Sequence, residues 1–144
     1  MSKPINILLV EDAYDDILIM KDVLEKHGLT DNLKVIRDGE EAVQYIFKQG
    51  PYTNVCTPQL VLLDFNLPKK NGLEVLREIR NHTQYSYLPI VILSTSSSPI
   101  DIADCYAAHV NCFITKPTDM VTLYNTVGQL KTFWLETVKL PHLQ

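Results

Sequence analysis

Asp64 ends an uninterrupted apolar run, Leu60 to Leu63, and a turn-forming stretch follows it. Apolar residues without alternation are typical of a strand that is buried on both faces. A carboxylate in a hydrocarbon environment is disfavoured by several kcal/mol unless it is paired or lies at a solvated edge. The placement of Asp64 therefore predicts a polar site at the end of this strand.

Polar side chains end three other apolar runs of the sequence as well. Each could have a local explanation: acids favour the positive end of a helix, a hydroxyl fits a turn, and a lysine could pair with Asp64. Five such groups at one edge of a sheet are harder to explain as independent accidents. The groups are Glu11, Asp12, Thr95 and Lys116, with Asp64 as the fifth.

The chemistry of this set depends on its charge. Three ionised carboxylates about 4–5 Å apart repel one another by roughly 3–4 kcal/mol per pair at an effective dielectric constant of about 20. One lysine does not offset that repulsion, whereas a hard divalent cation would, and an all-oxygen ligand set suits Mg²⁺. A metal beside one carboxylate, opposite a hydroxyl and an ammonium group, is an arrangement that can carry out phosphoryl transfer. Asp64 would be the attacking carboxylate.

The segments that must position these groups alternate between short apolar runs and helical patterns. We predict strands at residues 5–10, 33–37, 59–64, 88–94 and 111–115. We predict helices over 13–27 and near 39–48, from Gly72, after a capping box at Ser98, Pro99 and Asp101, and from Thr118, with a loop at 49–58. This alternation favours an α/β fold with a doubly wound, five-stranded parallel sheet in the flavodoxin-like order 2-1-3-4-5. The carboxyl ends of its strands would bring the polar groups together.

Length and charge narrow the function classes. The chain has 144 residues, so we expect one domain over 1–144, with a core at about 5–131 and a C-terminal extension and tail at about 132–144. The net charge of −4 and the lack of a basic face argue against nucleic-acid binding, and no apolar run could span a membrane. The three cysteines lack C-x-x-C spacing and suggest free thiols in a reducing compartment, so we expect a cytoplasmic protein.

Four separated stretches resemble the receiver domain of two-component response regulators: LLVEDAYDD, LVLLDFNLPKKNG, PIVILSTSS and CFITKPT. The resemblance covers almost the whole chain. It implies that Asp64 is the phosphoacceptor, that Lys116 contacts the phosphoryl group, and that Thr95 is the switch hydroxyl. Phe113 fills the position of the switch aromatic residue but lacks the hydroxyl of a tyrosine, so packing alone would drive its change of rotamer.

The resemblance also implies a Mg²⁺ site. Asp12 would bind the ion directly and Glu11 through water, while Asp64 would add a carboxylate oxygen and Asn66 its main-chain carbonyl. The chain departs from the family pattern at position 11, where Glu replaces the more usual Asp and has a longer reach.

The stand-alone receivers paired with cyanobacterial and bacterial phytochrome histidine kinases are a closer resemblance. It is carried by GPY at 50–52, TKPTD at 115–119 and FWLETVKLP at 133–141. It implies that a histidine kinase, a phytochrome, supplies the phosphoryl group. The residues after Pro117 are too few for an output domain, so we expect the signal to pass through changed protein–protein contacts or through onward transfer of the phosphoryl group.

The C-terminal helix carries apolar residues on more than one face, which implies a second burial partner. Six of them are expected to cover the sheet: Met120, Leu123, Tyr124, Val127, Leu130 and Trp134. Three are expected to lie on other faces: Phe133, Leu135 and Val138. Receivers of the phytochrome type commonly dimerise here, so we expect a homodimer through helix four, strand five, helix five and the C-terminal segment. The alternative is a tail that folds back over its own domain.

Two functions of other classes stay open. A phosphohydrolase of the haloacid dehalogenase type also has an Asp at a strand end. Such an enzyme requires a second acid at the position where this chain has Asn66, and it carries a cap domain, which we do not expect here. A non-phosphorylated adaptor would keep the receiver shape without the chemistry. Turnover of a generic phosphatase substrate would favour the first, and failure to take phosphate from acetyl phosphate with Mg²⁺ would favour the second.

Overall fold

The computed structural model describes residues 5–141, in which strands and helices alternate. The strands are β1 (Asn6–Val10), β2 (Asn32–Ile36), β3 (Leu60–Asp64), β4 (Ile90–Ser94) and β5 (Cys112–Thr115). The α-helices are α1 (Tyr14–Lys26), α2 (Gly39–Ile46), α3 (Gly72–Asn81), α4 (Pro99–Ala107) and α5 (Met120–Leu130). Residues 1–4 and 142–144 of the predicted domain and tail lie outside the described residues. Within 5–141, no helix combines the length and apolar character needed to cross a membrane.

The strands form one parallel sheet in the order β2-β1-β3-β4-β5, which confirms the predicted doubly wound topology. β3 and β4 lie inside the sheet and are buried on both faces, which explains their uninterrupted apolar sequences. One apolar cluster packs α2, α3 and α4 against one face, and a second packs α1 and α5 against the other. The core therefore leaves the carboxyl edge of the sheet as the place for polar groups.

Side-chain caps set the starts of α3 and α4. Asn71 begins α3 with a capping box: its side chain accepts from the Glu74 N–H at 2.9 Å, and Glu74 accepts from the Asn71 N–H at 3.1 Å. At α4, Ser98 caps the Asp101 N–H as predicted. Pro99 is the first residue of α4, also as predicted. The predicted return bond from the Asp101 carboxylate is wrong, because the Ser98 N–H donates to the Ser96 hydroxyl at 3.3 Å, and that hydroxyl donates to Asp101 at 3.3 Å.

A π-helical segment, Lys131–Thr137, continues α5 and changes which side chains face the core. Its wider turn joins residues five apart, as when the Val138 N–H donates to the Phe133 carbonyl at 3.0 Å. Trp134 and Leu135 consequently both pack against the cluster of α1 and α5. The prediction that Leu135 lies on another face is therefore wrong, whereas Phe133 is 51% exposed, as predicted.

Two of the residues predicted to cover the sheet do not do so. Met120 and Tyr124 are 48% and 40% exposed. Tyr124 instead stacks on His27 beyond the end of α1, with ring centroids 4.2 Å apart, because α5 packs beside α1 and only a narrow stripe of α5 meets the sheet. The buried positions of α5 are Leu123, Val127 and Leu130.

The segment predicted as a loop at 49–58 contains a short 3-10 helix, Gly50–Tyr52. The Tyr52 hydroxyl donates to the Glu41 carboxylate on α2. The Lys34 ammonium lies 5.6 Å from the centroid of the Tyr52 ring, within the range of a cation–π contact. These contacts hold the segment against α2 and β2.

Candidate functional site

Four strands deliver polar residues to one edge of the sheet. Asp64 is the last residue of β3, and Glu11, Thr95 and Lys116 directly follow β1, β4 and β5. A main-chain bond extends the pairing of β4 and β5 beyond the strands, because the Lys116 N–H donates to the Ser94 carbonyl at 2.6 Å. Predicted site residues from distant parts of the sequence therefore meet at the carboxyl edge.

The Lys116 ammonium group is bound by two acids from the β1–α1 segment. Its Nζ lies 2.5 Å from Glu11 Oε1 and 3.5 Å from Asp16 Oδ2. The side chains of Lys116 and Glu11 are only 12% and 6% exposed. Burial alone would lower the pKa of Lys116, but the hydrogen bond and charge of Glu11 outweigh it, so the pKa is raised. Lys116 stays protonated and holds a buried carboxylate in place.

The half-buried Asp64 carboxyl has a pKa that is raised from 3.8 to about 6. Burial is the largest cause and the charge of neighbouring Glu11 is the second, whereas the charge of Lys116 acts in the opposite direction. Asp64 is therefore ionised at neutral pH, in surroundings with more negative charge than Lys116 compensates. An additional cation would relieve this repulsion.

The chain after Asp64 turns back sharply against its own strand end. The Gly72 N–H donates to the Phe65 carbonyl at 2.8 Å. A Cβ at position 72 would lie 2.5 Å from the Asp64 carbonyl oxygen, so the close approach requires glycine. The start of α3 thereby fixes the main chain of the residue that carries the carboxylate.

Asp12, Asn66 and Thr95 lie at the same edge with exposed side chains. Within residues 5–141, no three Asp, Glu, His or Cys side chains are close enough to form a metal site by themselves. The expected close group of three carboxylates is therefore absent from this conformation, because Glu11 is bound to Lys116 while Asp12 is exposed.

Phe113 connects this edge to α4. Its ring is half-buried and packs near Phe65, the residue after Asp64, with ring centroids 6.4 Å apart. Its main-chain N–H donates to the hydroxyl of Tyr106 on α4 at 3.2 Å. A series of contacts therefore leads from Asp64 through Phe65 and Phe113 to Tyr106, whose side chain is 49% exposed.

Three residues that contact the site are not predicted by the sequence pattern. Asp16 could have been found, because it lies in the first turn of the helix that directly follows the predicted site residues Glu11 and Asp12. Arg37 Nη2 donates to the main-chain carbonyl of Asp12 at 2.9 Å, and Tyr106 accepts from a main-chain N–H. Contacts with main-chain atoms leave no signal in a pattern of side chains.

Known proteins resemble this chain over nearly its whole length. The response regulator receiver domain family matches residues 7–128. The response regulator Rcp1 of Synechocystis sp. is 42% identical over 135 residues, which cover 94% of this chain and 92% of Rcp1. The solved structure of the phosphorylated cyanobacterial phytochrome response regulator RcpA is 41% identical, has a TM-score of 0.91, and matches over 97% of this chain and 100% of its own. The Mn(2+)-bound form of Rcp1 is 41% identical with a TM-score of 0.87, over 96% and 100% of the two chains.

The family match extends from β1 into α5 and includes all of the predicted site residues. The relatives match over almost their full lengths, and RcpA is a phytochrome response regulator. The chain therefore belongs to the response regulator receiver domain family.

Proposed function

We propose that Asp64 accepts a phosphoryl group from a histidine kinase in a Mg²⁺-dependent reaction, and that the phosphorylated protein signals through changed protein–protein contacts. Receiver domains interact with histidine kinases, and receiver-domain response regulators are signalling proteins rather than classical enzymes. The observation that carries the proposal is the position of Asp64 at the carboxyl end of β3, beside Glu11 and the Lys116 ammonium.

Asp64 would act as the nucleophile. Because its pKa is about 6, the carboxylate is mostly ionised at neutral pH, and one of its oxygens can attack the phosphorus atom. The oxygen–phosphorus bond would form as the phosphorus–nitrogen bond of the donor histidine breaks. The imidazole nitrogen would keep the electron pair and take up a proton, which leaves an aspartyl phosphate at position 64.

Lys116 and Thr95 would bind the phosphoryl oxygens. The charge of Lys116 already acts on Asp64, and its ammonium would exchange part of its contact with Glu11 for a phosphoryl oxygen. Thr95 follows β4 directly and is exposed, so its hydroxyl is free to turn toward a group on Asp64. These contacts would offset charge on the phosphoryl group and would let the protein assist its own phosphorylation and dephosphorylation.

The donors at this edge fit a hard divalent cation. Asp64 is half-buried beside Glu11, whose charge Lys116 compensates only in part, and carboxylate and carbonyl oxygens are the ligands that Mg²⁺ prefers. Receiver domains bind Mg²⁺ in their active site, and Rcp1 has a Mn(2+)-bound form. We assign Asp12 and Asp64 as direct ligands, Glu11 as a ligand through water, and Asn66 as a ligand through its carbonyl. When bound, the ion would neutralise charge that develops on the phosphoryl oxygens.

Thr95 and Phe113 would convert phosphorylation into a changed surface. Movement of the Thr95 hydroxyl toward the phosphoryl group would leave space that the Phe113 ring can enter. The main-chain bond between Phe113 and Tyr106 supports a transfer of this movement to α4.

A phytochrome is the histidine kinase that the relatives favour. RcpA, with a TM-score of 0.91, is a cyanobacterial phytochrome response regulator in its phosphorylated form. We therefore assign a phytochrome kinase as the donor, with transfer in the cytoplasm, where the kinase obtains ATP.

A homodimer through α4, β5, α5 and the C-terminal segment is the second interaction that we propose. Ile100 on α4 and Val121 on α5 are 72% and 71% exposed, and Phe133 adds a large ring to the same set of elements. Trp134 and Leu135 pack against their own domain, so only part of the tail is available to a second copy. Phosphorylation would adjust the strength of this interface.

Mass spectrometry after incubation with acetyl phosphate and Mg²⁺ tests the chemistry. We expect the protein to gain one phosphoryl group, which hydroxylamine should remove because acyl phosphates react with it. Asp64→Asn should gain none, since an amide is not a nucleophile. Asp15→Asn, which removes an exposed acid of α1, should be phosphorylated normally.

The same experiment, together with an assay on a generic phosphate ester, separates the other functions. Labelling of Asp64→Asn would assign the acceptor to another residue. Failure of the unaltered protein to take phosphate would favour a non-phosphorylated adaptor. Repeated turnover of a generic phosphate ester would favour a phosphohydrolase.

A further inference from the structure

The corner between β2 and α2, residues 37–39, contacts the loop that carries Asp12. Arg37 Nη2 donates to the main-chain carbonyl of Asp12 at 2.9 Å. The Glu11 N–H donates to the Ile36 carbonyl at 3.0 Å, which extends the pairing of β1 and β2 beyond the strands. These two bonds hold the main chain of Asp12 from the side of β2.

The same corner contacts the loop that follows Asp64. The Gly39 N–H donates to the Pro68 carbonyl at 3.3 Å. A Cβ at Gly39 would lie 1.9 Å from the Lys70 carbonyl oxygen, so the two segments meet main chain against main chain. The corner therefore lies between the two loops that carry the proposed metal ligands.

We infer that the β2–α2 corner sets the spacing of these two loops, and that Arg37 is the positioning residue for Asp12. The inference rests on the proposed function, because Asp12 is a ligand only if the site binds Mg²⁺. Asp12 is exposed and precedes α1, so burial does not hold its main chain. The bond from Arg37 supplies that constraint from across the edge of the sheet.

Because Arg37 is charged, the inference predicts the direction in which metal affinity changes when Arg37 is replaced. A guanidinium near a divalent cation repels it, so loss of the charge alone would strengthen metal binding. Loss of a positioning bond would weaken metal binding. Arg37 is exposed and solvent screens its charge, so we expect the positioning effect to dominate.

Titration with Mn²⁺, monitored by electron paramagnetic resonance, measures metal affinity without phosphorylation. Arg37→Gln should raise the Kd for Mn²⁺ by about 3- to 10-fold, at or below the lower end of the effect of residues that orient metal ligands. Arg37→Lys keeps the charge and one donor, so it should recover part of the affinity. Lys26→Gln removes an exposed cation in the last turn of α1 and should leave the Kd unchanged.

Asp12→Asn in the same titration separates this inference from the proposed function. If Asp12→Asn weakens Mn²⁺ binding while Arg37→Gln leaves it unchanged or strengthens it, the positioning role is wrong and the metal site stands. If Asp12→Asn has no effect, or the unaltered protein binds no Mn²⁺, both are wrong. The free energies of unfolding of Arg37→Gln and Lys26→Gln, measured in urea, should be equal. A clear loss of stability in Arg37→Gln alone would mean that Arg37 stabilises the fold in general and is not a specific positioning residue for Asp12.

Discussion

Lys116 and Glu11, 105 residues apart in the chain, form a buried ion pair with 2.5 Å between Nζ and Oε1. The pair lies beside Asp64, whose pKa is raised most by burial, raised further by the charge of Glu11, and lowered by the charge of Lys116. Removal of one partner of a buried pair leaves the other without compensation. Lys116 therefore offsets part of the negative charge that Glu11 places beside the proposed phosphoacceptor.

Lys116→Met should raise the pKa of Asp64 beyond about 6, because the charge of Glu11 would then act alone. A neighbouring cation typically changes the pKa of a carboxyl group by about one unit or more. Carbon-detected NMR titration of the Asp64 carboxyl group without Mg²⁺ measures it. Lys70→Met, which removes a cation 2.8 Å from Glu78, should leave the Asp64 midpoint near 6. If the Asp64 midpoint were the same in Lys116→Met as in the unaltered protein, Lys116 would not lower the pKa of Asp64.

Asp64→Asn should be more stable than the unaltered protein at neutral pH without Mg²⁺. The folded-state pKa of about 6 exceeds the ordinary value of 3.8, so the folded protein holds this proton more tightly than the unfolded chain does. The unaltered protein therefore loses free energy of unfolding as the pH rises from about 3.8 through about 6, and the neutral amide avoids that loss. After allowance for solvent screening of a half-buried group, we expect a difference of about 1–2 kcal/mol.

Urea unfolding at several pH values measures this difference. The stability advantage of Asp64→Asn should shrink as the pH falls from about 6 to about 3.8, and it should vanish at lower pH. Saturating Mg²⁺ should stabilise the unaltered protein more than the variant, because the ion binds the folded site that contains the carboxylate. If the difference in free energy of unfolding between the two proteins stayed the same at every pH, folding would not raise the pKa of Asp64.

Thr95→Ala should accept a phosphoryl group but fail to pass the change to Phe113. The aspartyl phosphate requires Asp64, whereas the coupling requires the hydroxyl that moves toward it. NMR shifts of Phe113 on addition of beryllofluoride measure the response. Ser96→Ala, which removes the neighbouring hydroxyl, should respond normally, and a normal response in Thr95→Ala would place the coupling in other residues.

Tyr106→Phe should speed hydrogen exchange of the Phe113 N–H, because it removes only the hydroxyl that accepts this bond. The loss of one exposed hydrogen bond should raise the exchange rate by about 2- to 10-fold. Amide exchange followed by NMR measures it. Tyr87→Phe removes a hydroxyl from another part-exposed tyrosine, and it should leave the Phe113 rate unchanged. Equal rates in all three proteins would contradict the contact.

Phe133→Ser should weaken the proposed homodimer. Burial of a phenylalanine contributes roughly 1.5–3 kcal/mol before association costs, and the variant loses one ring from each copy. Sedimentation over a micromolar concentration range measures the dissociation constant, which should rise by about tenfold or more. Leu18→Ser, at a residue of α1 that is 49% exposed, is the matched control. A strict monomer with and without beryllofluoride would rule out the dimer.

The acceptor candidate follows from the pattern of a single segment, and the strand order follows from the succession of segments along the chain. Asp64 ends an apolar run, and a strand buried on both faces can end in a carboxylate if that group is paired or lies at the solvated carboxyl edge of the sheet. The alternation of strands and helices, with crossovers of one hand, leaves few arrangements of the sheet. The observed order β2-β1-β3-β4-β5 is accordingly the predicted one.

Side-chain partners were decided by the tertiary structure. One interpretation of the sequence pairs Lys116 with Asp64, but in the structure Lys116 contacts Glu11. Both carboxylates lie near Lys116, so small differences in the placement of the strands decide which one it binds. Helical spacing likewise predicts that Leu135 lies outward. The π-helical turn brings Leu135 and Trp134 onto the core together, and this burial compensates for a wide turn that local preference disfavours.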